Sequence, residues 1–242
     1  MTTEKNTLSH RQALIVNVLF AVLLSSTPVN FAQAAPAKGG PPTSTMLFAQ
    51  QRYKACIETA SREIAANPNN KESYKYRGQS YSFMEDPEHA VSDLDKYFSL
   101  TTGDGDICAR RARGLALSQC GKMREALKDF NICVKAQPSI WDFWQDRAKA
   151  YTELGQYDKA ISDANEMVKL KPDHFRYALR ARIYMNAQNF KLAIDDWSKA
   201  ISLFPGNAGY YSSRAQCYDK TGRKDLAAAD RKKRDELAQI EF

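Results

Sequence analysis

Residues 144–184 read WQDRAKAYTELGQYDKAISDANEMVKLKPDHFRYALRARIY. Trp144, Ala148 and Tyr151 stand four and three residues apart, the spacing that puts side chains on one face of an α-helix. Gly155 interrupts the pattern, Ala160, Ala164 and Met167 resume it, and Pro172 closes it. The same signature then returns as Tyr177, Ala181 and Tyr184, each time with an Arg just before the small residue, Arg147 and Arg180. A helix, a turn and a second helix recurring at this period mark a stacked repeat.

Outward from this stretch the pattern occurs five times: Tyr74/Arg77-Gly78/Tyr81, Arg110/Arg113-Gly114/Leu117, Trp144/Arg147-Ala148/Tyr151, Tyr177/Arg180-Ala181/Tyr184 and Tyr211/Arg214-Ala215/Tyr218. The first members are 36, 34, 33 and 34 residues apart. Turns follow at Glu85-Asp86-Pro87, Gly121, Gly155, Gln188-Asn189 and Gly222. Second helices then start around Ala90, Ala126, Ala160, Ala193 and Ala227, and Pro138, Pro172 and Pro205 end three of them. The Thr101–Asp106 connection accounts for the longer first spacing. Tyr53, Cys56, Ala60 and Pro68 fit the second-helix template and form an earlier half-unit whose first helix the preceding Pro-rich stretch truncates.

In these residues the chain resembles a tetratricopeptide repeat array from roughly Met46 to Phe242. The resemblance implies an all-α fold, a right-handed superhelical solenoid of antiparallel helix pairs with about five units plus the partial one. Units are expected at 46–70 (partial), 71–106, 107–140, 141–173, 174–207 and 208–242. Arg231 and Arg234 replace apolar residues at the stacking positions of the last helix, as expected of a polar cap facing water.

An Asp stands 16 residues after each recurring Arg, giving Arg77/Asp93, Arg113/Asp129, Arg147/Asp163, Arg180/Asp196 and Arg214/Asp230. Across a helical hairpin these positions come within reach, and five identical copies read as structural ion pairs in preference to catalytic dyads. The opposite face of the first helices lines the concave groove in the family, so the resemblance places ligand contacts at Lys75, Gln79, Arg111, Leu115, Gln145, Lys149, Arg182 and Gln216, with Ala178 and Ser212 between them. One cation in each of four successive units and no acid among these positions suits a peptide with acidic side chains or a free carboxylate. Phe83, Gln119, Glu153, Asn186 and Lys220 continue the face. No groove Asn accompanies Lys75 or Arg111, so the family's clamp for chaperone carboxy-termini is not matched.

At 242 residues the chain fits one domain plus an extension. Hydrophobic residues at 43% and charged residues at 26% argue against wholesale disorder and against a polytopic membrane protein. Thirty-five cations against 28 anions give +7, which permits anionic partners but lacks the dense basic stripe of a nucleic-acid binder. Lys5 and Arg11, the apolar Ala13–Leu24 and the small-x-small Ala32-Gln33-Ala34 read as a signal peptide over 1–34, cleaved near Ala34, and Gly39-Gly40-Pro41-Pro42 marks a linker over 35–45. The apolar run is too short to span a bilayer, so membrane contact is expected only through this transient leader.

Five cysteines leave an odd thiol; Cys56, Cys133, Cys120 and Cys217 sit among packing residues, and Cys108 is the candidate for exposure. No Cys/His spacing suggests a metal, and His89 and His174 stand alone near helix starts. Trp141, Phe143, Trp144 and Trp197 follow helical spacing and read as core. The basic run Arg231-Lys232-Lys233-Arg234 is a solvated cap flanked by Asp230, Asp235 and Glu236. The expected function is a non-enzymatic, periplasmic or extracellular interaction scaffold with no cofactor, catalytic residue or small-molecule substrate. The alternative is a basic surface adaptor for anionic polymer or membrane.

Overall fold

The structure is a computed structural model and describes residues 41–239. The leader read over 1–34 and most of the linker lie outside the described residues. Twelve α-helices occur among them: α1 (Ser44–Ala49), α2 (Tyr53–Ala66), α3 (Lys71–Phe83), α4 (Pro87–Ser99), α5 (Ile107–Gln119), α6 (Met123–Ala136), α7 (Trp141–Glu153), α8 (Tyr157–Leu170), α9 (His174–Asn186), α10 (Phe190–Leu203), α11 (Ala208–Lys220) and α12 (Lys224–Ala238). The chain divides into two compact units, one up to Lys122 and one from Met123. The division falls inside the repeat read at 107–140.

Helix starts follow local chemistry. Asp86, Asp106 and Asp173 each accept a backbone N–H three residues on, at His89, Ala109 and Arg176, and Pro87 occupies the first turn of α4. The turns between paired helices need a left-handed residue. Gly121, Gly155 and Gly222 supply it, whereas Glu85 (φ 60°) and Gln188 (φ 59°) adopt it against their Cβ sterics.

In the first unit α1 packs on α2 and α3, α3 pairs with α4, and α5 stacks on α4. Leu94, Tyr97, Ala109 and Ala112 form the buried seam, with Tyr74 and Phe98 packed against it. Gly78 explains the small position of the repeat: a Cβ there would lie 2.8 Å from Leu94 Cγ, so only glycine allows this approach of α3 to α4. Helix α1 begins at Ser44, two residues inside the stretch read as linker, because Thr43 caps it and Leu47 is buried beneath it. Cys56 donates its thiol proton to the Ser44 carbonyl at 3.2 Å.

The second unit stacks α6 on α7 and forms the pairs α7/α8, α9/α10 and α11/α12. Ala148, Ala160, Ala164 and Met167 make one core cluster; Ala181, Ala193, Trp197, Ala200 and Cys217 make another. Trp197 donates its indole N–H to Met185 Sδ at 3.3 Å. Phe143 is buried while Trp141 and Trp144 are half-buried, and Trp144 donates to the Pro138 carbonyl. Helix α12 buries only Ala227 and Asp230 and turns Arg231, Lys232 and Lys233 to solvent.

Candidate functional site

The recurring Arg residues are internal fasteners. Arg77 donates twice, from Nε and Nη2, to the carboxylate of Asp93 at 2.7 and 2.8 Å. Arg147 does the same to Asp163, Arg180 to Asp196 and Arg214 to Asp230, all at 2.7–2.8 Å. The carboxylates are the more shielded partners: Asp93, Asp163, Asp196 and Asp230 are all buried, so each depends on its Arg for a counter-charge. The Asp hydrogen bonds in turn raise the pKa of all four guanidinium groups. Nη1 makes a third contact that sequence reading missed, to Ser61 from Arg77, Asn131 from Arg147, Asn165 from Arg180 and Ser198 from Arg214. Each Arg therefore ties its own helix pair to the second helix of the pair before it. Arg113 lies in the first unit, where it reaches Asp95 at 2.8 Å, and Asp129 is buried in the second.

The expected lane of groove cations is not uniform. In the first unit Lys75 and Gln79 on α3 and Arg111 on α5 are buried, and Leu115 is half-buried. Lys75 Nζ bonds Glu72 at 2.7 Å, approaches Asp106 at 3.8 Å and sits over the Tyr76 ring. Burial works against its charge, yet the Glu72 hydrogen bond and the charges around it outweigh that cost and hold the ammonium above the usual lysine range. Lys75 is thus an internal counter-ion, which corrects its reading as an open ligand contact. Phe83, further along this face, is stacked flat on Tyr53 at 4.4 Å and touches Phe48 of α1.

In the second unit the same register differs. Lys149 on α7, Arg182 on α9 and Gln216 on α11 are exposed, while Gln145 is half-buried and Ala178 buried. Among the described residues neither Lys149 nor Arg182 has an ion-pair partner. The face also carries charges the sequence reading did not single out: Asp142 and Asp146 on α7 are buried, and Arg176 on α9 is 6% exposed. Arg176 pairs with Asp173 and lies over Trp141, its Cζ 3.5 Å from the ring centroid. Its signal was the Asp173-to-Arg176 spacing at a helix cap.

The remaining candidates hold no chemistry. Cys108 is half-buried and not the exposed thiol expected of it, and burial pushes its pKa up to about 11. Burial does the same for Cys217. His89 contacts Asp86 at 2.8 Å on the surface, and His174 Nδ1 meets the Tyr210 hydroxyl at 2.9 Å. No group of His, Cys, Asp and Glu suited to a metal occurs among the described residues, and no described helix is long and apolar enough to cross a membrane.

Comparison with known proteins gives the same architecture. The tetratricopeptide repeat model matches residues 111–175 and 179–231. Human mitochondrial import receptor subunit TOM70 is 25% identical over 192 residues, covering 75% of this chain and 31% of that protein. Hsp70-Hsp90 organizing protein 2 of Arabidopsis thaliana is 28% identical over 206 residues, covering 83% and 34%. The chain thus spans about a third of the length of these curated relatives. Among solved structures, the C-terminal part of a TPR repeat-containing protein from Cytophaga hutchinsonii superposes with a TM-score of 0.71 at 18% identity, over 82% of this chain and 79% of that one. MamA from Desulfovibrio magneticus gives 0.64 at 20% identity, over 70% and 96%. Residues 111–175 and 179–231 thus match the tetratricopeptide repeat model, and the described residues have the helix-pair fold of that family.

Proposed function

We propose that this chain is an exported, non-catalytic scaffold that holds an acidic peptide segment of a partner protein on the first-helix face of its second unit. The observation that carries the reading is the contrast among its cations. Arg147, Arg180 and Arg214 are each locked to an Asp, and Arg176 is stacked and paired, whereas Lys149 and Arg182 are exposed at the same register of α7 and α9 without a counter-ion. Uncompensated cations one repeat apart suit carboxylates spaced along an extended chain, and the planar Arg182 fork suits a bidentate contact. Buried Lys75 and Arg111 are withdrawn from this role. The names of the similar proteins, a mitochondrial import receptor subunit and organizing proteins for Hsp70 and Hsp90, support protein binding as the class of activity.

Export rests on Lys5, Arg11, Ala13–Leu24 and Ala32-Gln33-Ala34, with a periplasmic or extracellular destination. One experiment tests both halves. Protein recovered from the exported fraction begins at Ala35 and binds a fluorescent Asp/Glu-rich peptide, and Lys149→Glu/Arg182→Glu weakens that binding at least about tenfold with unchanged circular dichroism. Undiminished binding by the variant, or retention of residues 1–34 in the recovered protein, refutes the corresponding half.

A further inference from the structure

Of the seven large hydrophobic side chains that are exposed among the described residues, four lie at two neighbouring connections of the second unit. Leu170 (41% exposed) ends α8, Phe175 (38%) begins α9, and Leu203 (53%) and Phe204 (47%) end α10. The connections are held together, because Phe204 stacks on His174 at 4.8 Å and His174 bonds Tyr210 of α11. Phe204 is the residue before Pro205, and Leu170 is two before Pro172, so both chain segments leave their helices extended and carry bulky groups at the tip. Lone exposed apolar residues need no explanation, but four gathered on one edge do.

Within four residues of these side chains along the chain, the charges left without an ion-pair partner among the described residues are lysines. Glu166 is taken up by Lys169 at 3.3 Å, and Asp173 by Arg176. Lys171, next to Leu170, and Lys199, one helical turn before Leu203, are exposed and have no ion-pair partner among the described residues. Leucines and phenylalanines projecting from a rim of uncompensated lysines form the composition of a surface that enters the headgroup region of an anionic bilayer: apolar tips reach the acyl boundary while lysines stay at the phosphates. We infer that the edge formed by the α8–α9 and α10–α11 connections is a membrane-surface contact selective for anionic lipid, distinct from the Lys149/Arg182 face. It would hold a scaffold against the bilayer while its partner face remains open.

The test is amide hydrogen exchange of the full chain, with vesicles of phosphatidylcholine plus phosphatidylglycerol compared with phosphatidylcholine alone. Exchange gives a local readout that binding through any other segment does not imitate. Anionic vesicles are expected to slow exchange in 170–175 and 203–207 at least about threefold, neutral vesicles to leave it unchanged, and Leu203→Ser/Phe204→Ser to abolish the effect. Phe204→Ser also removes the stack on His174, so the lysine variant decides the test if circular dichroism of this one departs from the parent. Lys171→Glu/Lys199→Glu, which removes no packing, should lose the effect as well. Unchanged exchange at these connections on vesicle-bound protein overturns the inference. So does full slowing in either variant, or slowing that depends on protein concentration without vesicles, which assigns the edge to a second copy.

Discussion

Arg180 illustrates what a single residue contributes to this repeat. Its guanidinium makes two bonds to Asp196 and one to Asn165, with side-chain exposures of 20% for the Arg and 7% for the Asp. The pair is too shielded to count as a surface ion pair and too wet to carry the full cost of a buried one. The two halves differ. Loss of Arg180 strands a buried carboxylate, while loss of Asp196 leaves a cation that can turn toward water. Arg180→Ala is therefore expected to lower stability by about 2–3 kcal/mol and Asp196→Ala by about 1–2 kcal/mol, read as the shift in urea midpoint at neutral pH. Equal or negligible losses would show that packing alone sets the helix register. The Arg-to-Asp spacing was legible because both residue types are invariant through the repeats, from Arg77 and Asp93 to Arg214 and Asp230. The third partner was not, although Asp95, Asn131, Asn165 and Ser198 each stand two residues after the Asp. Only hydrogen-bond acceptance is common to them, and it does not show as a repeated letter.

At the scale of an element, α1 is the instructive one. It is six residues long, too short to persist by helix propensity, so its place depends on what holds it. Phe48 lies 5.3 Å from the Tyr76 ring and 5.7 Å from Tyr53, and the Glu63 carboxylate accepts from the Ser44 N–H at 3.0 Å, Ser44 Oγ at 2.5 Å and Ser73 Oγ at 2.6 Å. The sequence held a usable sign. Ser44 precedes Cys56 by the same 12 residues that separate Gly78 from Ala90 and Ala148 from Ala160, and Leu47 follows three residues later like Tyr81 and Tyr151. The Pro-rich flank masked it. Burial alone would raise the Glu63 pKa, but the three hydrogen bonds hold it below the ordinary carboxyl value. A depressed pKa stabilises the folded state above the unfolded value of ~4.3, and that contribution disappears as pH falls through the lower folded value. Helix α1 should accordingly loosen below about pH 4, seen as faster amide exchange at 44–50 while α3 and α4 stay protected. Glu63→Gln should show that looseness already at pH 7, at a cost of about 2 kcal/mol, with a flattened acid profile. Identical pH profiles for the two proteins would assign the docking of α1 to its aromatic contacts.

For the whole molecule, repeat length and punctuation were enough to give the helix-pair fold, since a face that recurs every 33–36 residues can be buried only against its own neighbour. Which positions of the first-helix face stay wet was not legible. Gln79 and Lys149 both stand two residues after the recurring Arg, yet Gln79 is buried and Lys149 is exposed, and that difference comes from tertiary stacking that periodicity does not encode. Stacking also dictates where the array is weakest. In a linear stack each pair is stabilised by its neighbours, so the pair that buries least is the least stable. In the second unit that pair is α11/α12, where α12 buries only Ala227 and Asp230 and the Arg214–Asp230 pair carries much of the join. Arg214→Ala should therefore raise amide exchange strongly through 208–238, weakly in α9 and α10, and hardly at all in α7 and α8. The corresponding Arg147→Ala acts on an interior pair flanked on both sides and should raise exchange across α6 to α10 together. A uniform rise throughout the second unit for both variants would mean that it unfolds as one block, and that neighbour-by-neighbour stacking does not describe its energetics.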